Sequence, residues 1–304
     1  MTSSILPSIW VANFSSQEAF SVFWSSEQAT LGVMSDLDDR HLVSRHPLSW
    51  KAWCASCRKV TVMTMHWHFC GGNSEGAVHP AWTEVNACEE CGLNSRMRAL
   101  RSALDRYKVP SSAAIFLAES VTPSYHALKK DFPHLIGSEY LGHGIQPGAD
   151  VYIECLGVRV RHEDLRQLSF QDGAFEVVLT QDVLEHIPDF RAALEECLRV
   201  LSPGGRLLFT IPFFWDWRET FVRVTLGVNG EMIHHAPPEV HGNPTTGEGA
   251  LCYQNFGWDL LDDLKTVGFV NSEALLYWGP WAGHLGSPFF VFTASKSLDG
   301  RFSL

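Results

Sequence analysis

Residues 175–213 constrain the fold of this chain more than any other stretch. Residues 175–179 form a short apolar run of β-branched and aromatic side chains, typical of a strand that is buried on both faces of a parallel sheet. From Asp189 the apolar residues recur at helical spacing as far as Pro203, and residues 207–211 form a second buried strand. Strand, crossover helix and strand in about 40 residues make one right-handed βαβ unit.

The polar residues after the first of these strands mark a candidate functional rim. Ligands of open parallel sheets bind beyond the carboxyl ends of the strands, which is where Thr180, Gln181 and Asp182 should lie. The chain has 304 residues, of which 45% are apolar, so it can bury a substantial core. We therefore expect an α/β fold with one large domain, or a large and a small one.

Charge and hydropathy patterning restrict the partners. The formal net charge is −11, and no Lys/Arg cluster is apparent, which argues against nucleic acid and anionic membranes as partners and favours a small-molecule substrate. No apolar run approaches membrane-spanning length, and the first ten residues lack the basic residues of a secretory signal. We expect a soluble, cytoplasmic protein, whose oligomeric state the sequence does not indicate.

Four of the eight cysteines stand in two pairs, Cys54-x-x-Cys57 and Cys88-x-x-Cys91. In a cytosolic protein such pairs are typical of metal ligands, and four thiolates close a tetrahedral Zn²⁺ site that leaves no position for substrate. We predict a structural zinc module at residues 50–93. His66, His68 and Cys70 are competing ligands, although alternate residues of a strand can equally face an apolar layer.

Several consecutive segments carry a family resemblance. FEVVLTQDVLEHIPD and LRVLSPGGRLLFTIPF resemble the central part of class I S-adenosylmethionine (SAM) dependent methyltransferases, and RHEDLRQLSFQDGAFE resembles the segment that precedes it. The resemblance covers residues 112–213 well and the rest more loosely. It implies SAM as cofactor and a Rossmann-like fold: a mostly parallel seven-stranded sheet, helices on both faces and an antiparallel edge strand, here from residues 273–277 and 289–294.

The resemblance also assigns the cofactor contacts. Glu139, at the end of a second strand (residues 136–141), is placed to bond the ribose hydroxyls, and Asp164 and Leu165 follow a third strand (residues 158–162) at the adenine. The glycine-rich turn expected after the first strand (residues 113–119) is missing, and Glu119 is the carboxylate that would bond the cofactor ammonium. The cofactor-binding residues are thus Arg96, Glu119, Ser120, Glu139, Tyr140, Asp164, Leu165, Gln181 and Asp182.

Arg96 is assigned from a predicted helix at residues 94–107. Helical spacing puts Arg96 on the apolar side beside Leu100 and turns Arg98 away, and a buried arginine needs an anion. That anion is either the SAM carboxylate or the acid of a structural salt bridge. The segments CGLNSRMRA, IGSEYL, PPEVHG and LCYQNFGWDLLDDL resemble a bacterial subgroup with a cysteine-rich module before the methyltransferase domain and a glycine-poor first turn, some of whose members are encoded near glycosyl-transfer and natural-product genes.

Two segments flank the zinc module and the SAM-binding domain (residues 94–304). Residues 1–49 contain the capping pattern Ser15-x-x-Glu18 followed by Phe20 and Trp24 at helical spacing, which indicates either a core helix or a lid over the cofactor. Residues 214–257 lack sheet patterning and are interpreted as a substrate-facing cap inserted in the SAM-binding domain. Its candidate catalytic residues, which could equally be solvated or structural, are His234, His235, His241 and Tyr253, whereas His186 is expected to bind loop backbone.

Three functions are compatible with these features. The leading hypothesis is transfer of a methyl group from SAM to a small acceptor in secondary metabolism or glycan biosynthesis. The second is a SAM cyclase, in which the amino group of SAM attacks its own side-chain carbon to give azetidine-2-carboxylate and methylthioadenosine. The third is a non-catalytic partner subunit that has lost SAM through its altered first turn.

Overall fold

The computed structural model of this chain describes residues 8–41, 48–67, 70–72 and 78–299, so the ligand candidate His68 lies outside the described residues. In the N-terminal third the elements are β1 Trp10–Phe14, α1 Gln17–Ser26, α2 Gln28–His41, β2 Leu48–Cys54, β3 Lys59–Met65, β4 Cys70–Gly72, β5 Val78–Pro80, α3 Trp82–Val85, β6 Asn86–Cys88 and α4 Ser95–Arg106. They are followed by β7 Ile115–Leu117, α5 Pro123–Asp131, β8 Ile136–Gly137, β9 Asp150–Ile153, β10 Val158–Arg161, β11 Phe175–Gln181, α6 Phe190–Val200 and β12 Leu201–Thr210.

The C-terminal part begins with six short strands in the predicted cap segment. These are β13 Phe221–Val222, β14 Val224–Leu226, β15 Met232–His234, β16 Val240–Gly242, β17 Gly249–Leu251 and β18 Gln254–Asn255. After them come α7 Leu260–Val267, β19 Val270–Gly279 and β20 His284–Ser295, with 3-10 turns at Leu184–His186 and Pro280–Ala282. No helix of the described residues is both long enough and apolar enough to span a membrane.

The central sheet confirms the Rossmann-like class I methyltransferase fold. It has seven strands in the order β1-β19-β20-β12-β11-β7-β8. Strands β12, β11, β7 and β8 are parallel, and β20 runs antiparallel to β12, with Phe292 opposite Phe209. The predicted βαβ unit is β11-α6-β12. The side chains of Val178, Leu179 and Leu208 are fully buried in it, as expected for strands covered on both faces.

Two sheet positions differ from the sequence prediction. The predicted third strand is β10, which pairs antiparallel with β9 and touches the central sheet only through an isolated bridge between His162 and Glu139. Because β8 has only two residues, it offers few backbone groups for hydrogen bonds with a further strand. At the other edge the sheet gains β1, from a segment predicted to be helical; Phe14 of β1 lies opposite Ala274 of β19.

Side chains cap the first turns of three helices. The Thr122 side chain accepts a hydrogen bond from the Tyr125 backbone N–H at the start of α5, and Pro123 occupies the first helical position. The Asp189 side chain caps α6 in the same way, and Asn94 caps α4 by accepting from the Met97 N–H. These caps fix where each helix leaves its strand or turn.

The chain divides into two units. One comprises residues 1–14, 18–107 and 274–291, and the other residues 15–17, 108–273 and 292–304. In the first unit, β2, β3 and β6 form an antiparallel sheet that carries the paired cysteines. The same unit holds α1, whose Phe20 is 2% exposed and packs against the rings of Phe14 and Phe290. The segment predicted to be one helix is therefore a strand followed by two helices.

Candidate functional site

Glu139 holds the turn that follows β7 in the second unit. Its Oε1 atom accepts hydrogen bonds from the backbone N–H of Ser120 (2.6 Å) and of Val121 (3.0 Å) and from the Ser120 hydroxyl (3.3 Å). The side chain is 8% exposed, and burial raises the pKa of the carboxyl although these hydrogen bonds act to lower it. One oxygen thus fixes the turn, and the second is left for a ligand.

A glycine next to Glu139 permits the close approach of these strands. A Cβ atom at Gly137 would lie 2.5 Å from the Glu119 carbonyl oxygen and 2.5 Å from the Tyr125 ring. No side chain larger than hydrogen fits there without moving backbone. The first turn lacks glycines of its own, and Gly137 on the neighbouring strand supplies the room.

Gln181 links the first turn to the end of β11. Its Nε2 atom donates to the Glu119 carboxylate and to the Ser124 hydroxyl, the latter at 2.7 Å. Gln181 and Glu119 are 5% and 8% exposed, and the Gln181 Oε1 atom has no hydrogen-bond partner among the described residues. An orphaned buried acceptor at the carboxyl end of a parallel strand is a position for a ligand that donates.

Asp182 ends β11 in an uncommon backbone conformation. Its φ is 50°, in the left-handed region that aspartate tolerates better than most residues. The Thr210 hydroxyl donates to Asp182 Oδ1 at 2.8 Å, and the Asp182 N–H bonds the Thr210 carbonyl. The ends of β11 and β12 are tied together by these bonds, which orient the Asp182 carboxylate.

The predicted adenine-side residues lie after β10. Asp164 accepts a bidentate contact from the Arg166 guanidinium, at 3.0 and 2.7 Å; burial acts against the charged form, but the Arg166 hydrogen bonds outweigh it and lower the pKa of Asp164. Leu165 is buried. Burial raises the pKa of the Tyr140 phenol, and the negative charge of Asp164 raises it further.

The three cap histidines have different surroundings. His234 and His235 are exposed, and His235 bonds the Thr225 hydroxyl at 2.9 Å. His241 is partly buried, and contacts with Cys252 and Glu185 raise its pKa to about 11. A histidine that remains protonated cannot serve as a base at neutral pH. His186 meets its expectation, because its Nδ1–H donates to the Leu251 backbone carbonyl at 2.9 Å.

The four paired cysteines come together in the first unit. Their sulfur atoms lie within 4.8 Å of one another, with Cys54–Cys91 at 3.7 Å and Cys57–Cys88 at 3.9 Å. The Cys54 thiol donates to Cys91, which lowers the pKa of Cys91 to about 5, and the same contact raises the pKa of Cys54. Sulfur atoms at these separations match the ligand set of a tetrahedral metal centre.

The arginines of α4 differ from the sequence prediction. Arg98, which helical spacing turned away from the core, is fully buried and donates to the carbonyl oxygens of Leu93, Asn86 and Gly283 at 2.6, 3.2 and 2.6 Å. Arg96 forms a salt bridge with Glu84, with contacts of 2.8 and 3.1 Å. Of the two anions considered for Arg96, the structural carboxylate is the observed one.

Comparison with protein families matches residues 143–209 to a model described as a methyltransferase domain. This part of the chain is therefore similar to methyltransferase domains. Demethylmenaquinone methyltransferases of Staphylococcus aureus strains JH9 and Newman are 24% identical over 161 residues, which is 49% of this chain and 64% of those relatives. The match thus spans less than two thirds of their length.

Solved structures of similar proteins include a SAM-dependent methyltransferase from Mesorhizobium loti. It is 15% identical with a TM-score of 0.40, and the alignment covers 65% of this chain and 98% of that one. The 1,6-didemethyltoxoflavin-N1-methyltransferase of Burkholderia thailandensis, bound to its substrate and S-adenosylhomocysteine, is 16% identical with a TM-score of 0.39, over 67% and 79% of the two chains.

Sequence reasoning missed two features of this site. Gly137 had a signal, since an isolated glycine in a strand pattern suggests close backbone approach. The second feature is a cluster of His186, His241 and Cys252, whose ligand atoms lie within 4.8 Å of one another. These residues span 66 positions and follow no recurrent spacing, so only the folded chain brings them together.

Proposed function

We propose that this protein is a SAM-dependent methyltransferase that acts on a small-molecule acceptor in secondary metabolism or glycan biosynthesis. The observation that carries the proposal is the hydrogen-bonded set of Glu119, Ser120, Glu139 and Gln181 at the carboxyl ends of β7, β8 and β11. In a parallel α/β sheet this rim is where a nucleotide-like cofactor binds. The family match across residues 143–209 supports the same reading.

The donor set fits SAM. Glu139 keeps one carboxylate oxygen for the ribose hydroxyls, because the other accepts all three hydrogen bonds from the first turn. Glu119 is a carboxylate suited to the ammonium group of the methionine moiety, and the orphaned Gln181 Oε1 is a second acceptor in that direction. Asp164 and Leu165 provide an acceptor and an apolar face for the adenine.

Bound SAM would supply an electrophilic methyl group on a sulfonium, so that alignment is the main contribution required of the protein. Glu139 would hold the ribose and Gln181 the ammonium group of SAM, which would fix the position of the cofactor. Tyr253 is the cap candidate to orient or deprotonate an acceptor, since it is half-buried and its backbone N–H donates to the Glu185 carbonyl in the turn after β11 at 2.8 Å. His241 would instead have a structural role, through its contacts with Glu185 and Cys252.

We also assign a structural Zn²⁺ to Cys54, Cys57, Cys88 and Cys91. Four thiolates around Zn²⁺ carry a net charge of about −2, which a buried site must offset. Arg98 is fully buried and its guanidinium hydrogen-bonds carbonyl oxygens, while the charges that favour its ionised form are those of Cys54, Cys88 and Cys91. A buried cation facing the cysteine cluster is what a thiolate centre would need.

Incubation of the purified protein with SAM alone tests the function. A methyltransferase that lacks its acceptor should bind SAM and return it unchanged, whereas a SAM cyclase should release methylthioadenosine and azetidine-2-carboxylate. Absence of binding would fit the non-catalytic subunit and would contradict our proposal. Calorimetry and mass spectrometry of the supernatant distinguish the three outcomes, and a cytoplasmic location would be tested separately by cell fractionation.

A further inference from the structure

The second unit contains a buried carboxylate that lacks an ordinary partner. Glu185, in the 3-10 turn after β11, is 1% exposed, and neither of its carboxylate oxygens has a hydrogen-bond partner among the described residues. A charged group held away from water needs a cation or a set of donors. The groups that face Glu185 are two imidazoles: His186 Nε2 and His241 Nδ1 each lie 3.6 Å from its Oε1 atom.

The remaining nitrogen of each imidazole is already committed. His186 Nδ1 lies 2.9 Å from the Leu251 carbonyl oxygen, and His241 Nε2 lies 3.2 Å from a Glu239 carboxylate oxygen. Carbonyl and carboxylate oxygens only accept, so these nitrogens carry the protons. A bound metal ion would displace any proton from His186 Nε2 and His241 Nδ1, which each lie 3.6 Å from the same Glu185 oxygen. An oxygen acceptor on the other ring nitrogen is the usual arrangement of a metal-binding histidine.

A thiol completes the cluster. Cys252 is 1% exposed, and its Sγ atom lies 3.9 Å from Nδ1 of the His186 ring. Ligand atoms of His186, His241 and Cys252 lie within 4.8 Å of one another. Atoms at about 2.0 to 2.3 Å from a tetrahedral metal are separated by about 3.3 to 3.7 Å, so the 3.6 Å contacts need little adjustment.

We infer that His186, His241, Cys252 and Glu185 bind a second transition-metal ion of the Zn²⁺ class. Two imidazoles, one thiolate and one carboxylate are a ligand set that suits Zn²⁺, and four protein ligands leave no open position, so the site is structural. The ion joins the turn after β11 to the cap. Glu185 and His186 belong to the turn, whereas His241 lies in β16 and Cys252 directly follows β17. The Tyr253 N–H already bonds the Glu185 carbonyl at 2.8 Å, and the ion fastens the same junction.

Metal analysis of the full chain tests this site separately from the Cys54–Cys91 cluster. Protein produced with Zn²⁺ and purified without chelators is compared with Cys252→Ser and His241→Gln. Controls are Cys155→Ser, at an exposed cysteine, and His235→Gln, at an exposed histidine. Both site variants should lose about one zinc per chain relative to wild type and controls. Equal zinc in all five proteins overturns the inference and leaves the cluster a protonated imidazole–carboxylate network only.

Cobalt spectroscopy distinguishes the loss of a metal ligand from the loss of metal through misfolding. His241→Cys exchanges a nitrogen donor for a sulfur donor, so the Co²⁺-loaded variant should gain thiolate-to-metal absorption in the near ultraviolet while it keeps its metal. A structural role without metal predicts a Co²⁺ spectrum identical to that of wild type, which would overturn the inference. The readout is independent of any activity, so that failure of the methyltransferase proposal leaves it intact.

Discussion

Replacement of Glu139 tests the cofactor site most directly. In Glu139→Ala the ribose hydroxyls lose their acceptor, and a hydrogen bond to a charged group contributes about 1.5 to 3 kcal/mol. That range corresponds to a SAM Kd raised by about 10- to 150-fold. The turn also loses the 2.6 and 3.0 Å bonds to its backbone N–H groups, so we expect a value in the upper half of the range.

Glu139→Gln separates the two contributions. The amide oxygen still accepts from the turn, whereas the charge is removed, so its Kd should lie between those of wild type and Glu139→Ala. Calorimetric titration with SAM gives the affinities, and thermal melting verifies that each variant is folded. Glu195→Gln, which neutralises an exposed carboxylate on α6, is the matched control and should bind SAM as wild type does. A folded Glu139→Ala protein with a Kd within about twofold of wild type would refute the assigned strand register.

The raised pKa of Glu139 adds a pH signature. Because burial moves the folded-state pKa above its ordinary value of 4.5, the group contributes stability to the free protein below 4.5, and this contribution is lost as pH rises through the folded-state pKa. SAM binding has the opposite pH dependence because it uses the ionised carboxylate. The affinity for SAM should therefore fall as pH falls through that raised pKa. Titrations from pH 4.5 upward should show this slope in wild type and not in Glu139→Gln.

Four further predictions concern the rest of the chain. Cys88→Ser should abolish zinc binding at the cysteine cluster and lower the melting temperature far more than Cys155→Ser, and equal melting would contradict a structural zinc. Arg98→Met should cost about 3 to 5 kcal/mol of unfolding free energy and let a chelator remove that zinc sooner, as measured by denaturation and metal release. Gly137→Ala should cost about 1 to 3 kcal/mol and weaken SAM binding, whereas Gly32→Ala, with open space around it, should be neutral or stabilising. Phe20→Ala should cost about 3 to 5 kcal/mol against little for exposed Val22→Ala, and protease cleavage of residues 8–30 that is equal with and without SAM would exclude the lid.

The sequence predicted the central βαβ unit because its information is local. Residues 175–213 carry the change from strand to helix period and the apolar strands, and both appear in the structure. The four cysteines are also local, since each pair spans one turn. The prediction failed where strand pairing was not read from the sequence. β1 became a strand because the distant strand β19 pairs with it, whereas β10 left the central sheet because it forms a local hairpin with β9.

The two arginines of α4 show why a buried charge is difficult to assign from spacing. Helical spacing put Arg96 on the apolar face with Leu100, but the buried residues of α4 include Arg98 and Arg101 as well. Arg98 can be buried because three backbone carbonyls, one of them at Gly283 far along the chain, accept its hydrogen bonds, and thiolates in the cysteine cluster would favour its charged form. Neither source is visible in a helical wheel, which records only hydrophobicity.

The position of Arg98 also changes what the cysteine cluster is expected to do. A guanidinium that is fully buried and hydrogen-bonded to carbonyl oxygens is destabilised by burial, which lowers its pKa, and the negative charges of Cys54, Cys88 and Cys91 act against this. Thiols that kept their protons would leave that charge uncompensated, whereas four thiolates on Zn²⁺ retain a net negative charge to compensate it. The cation and the metal centre would then be interdependent, so the loss of either should destabilise the other.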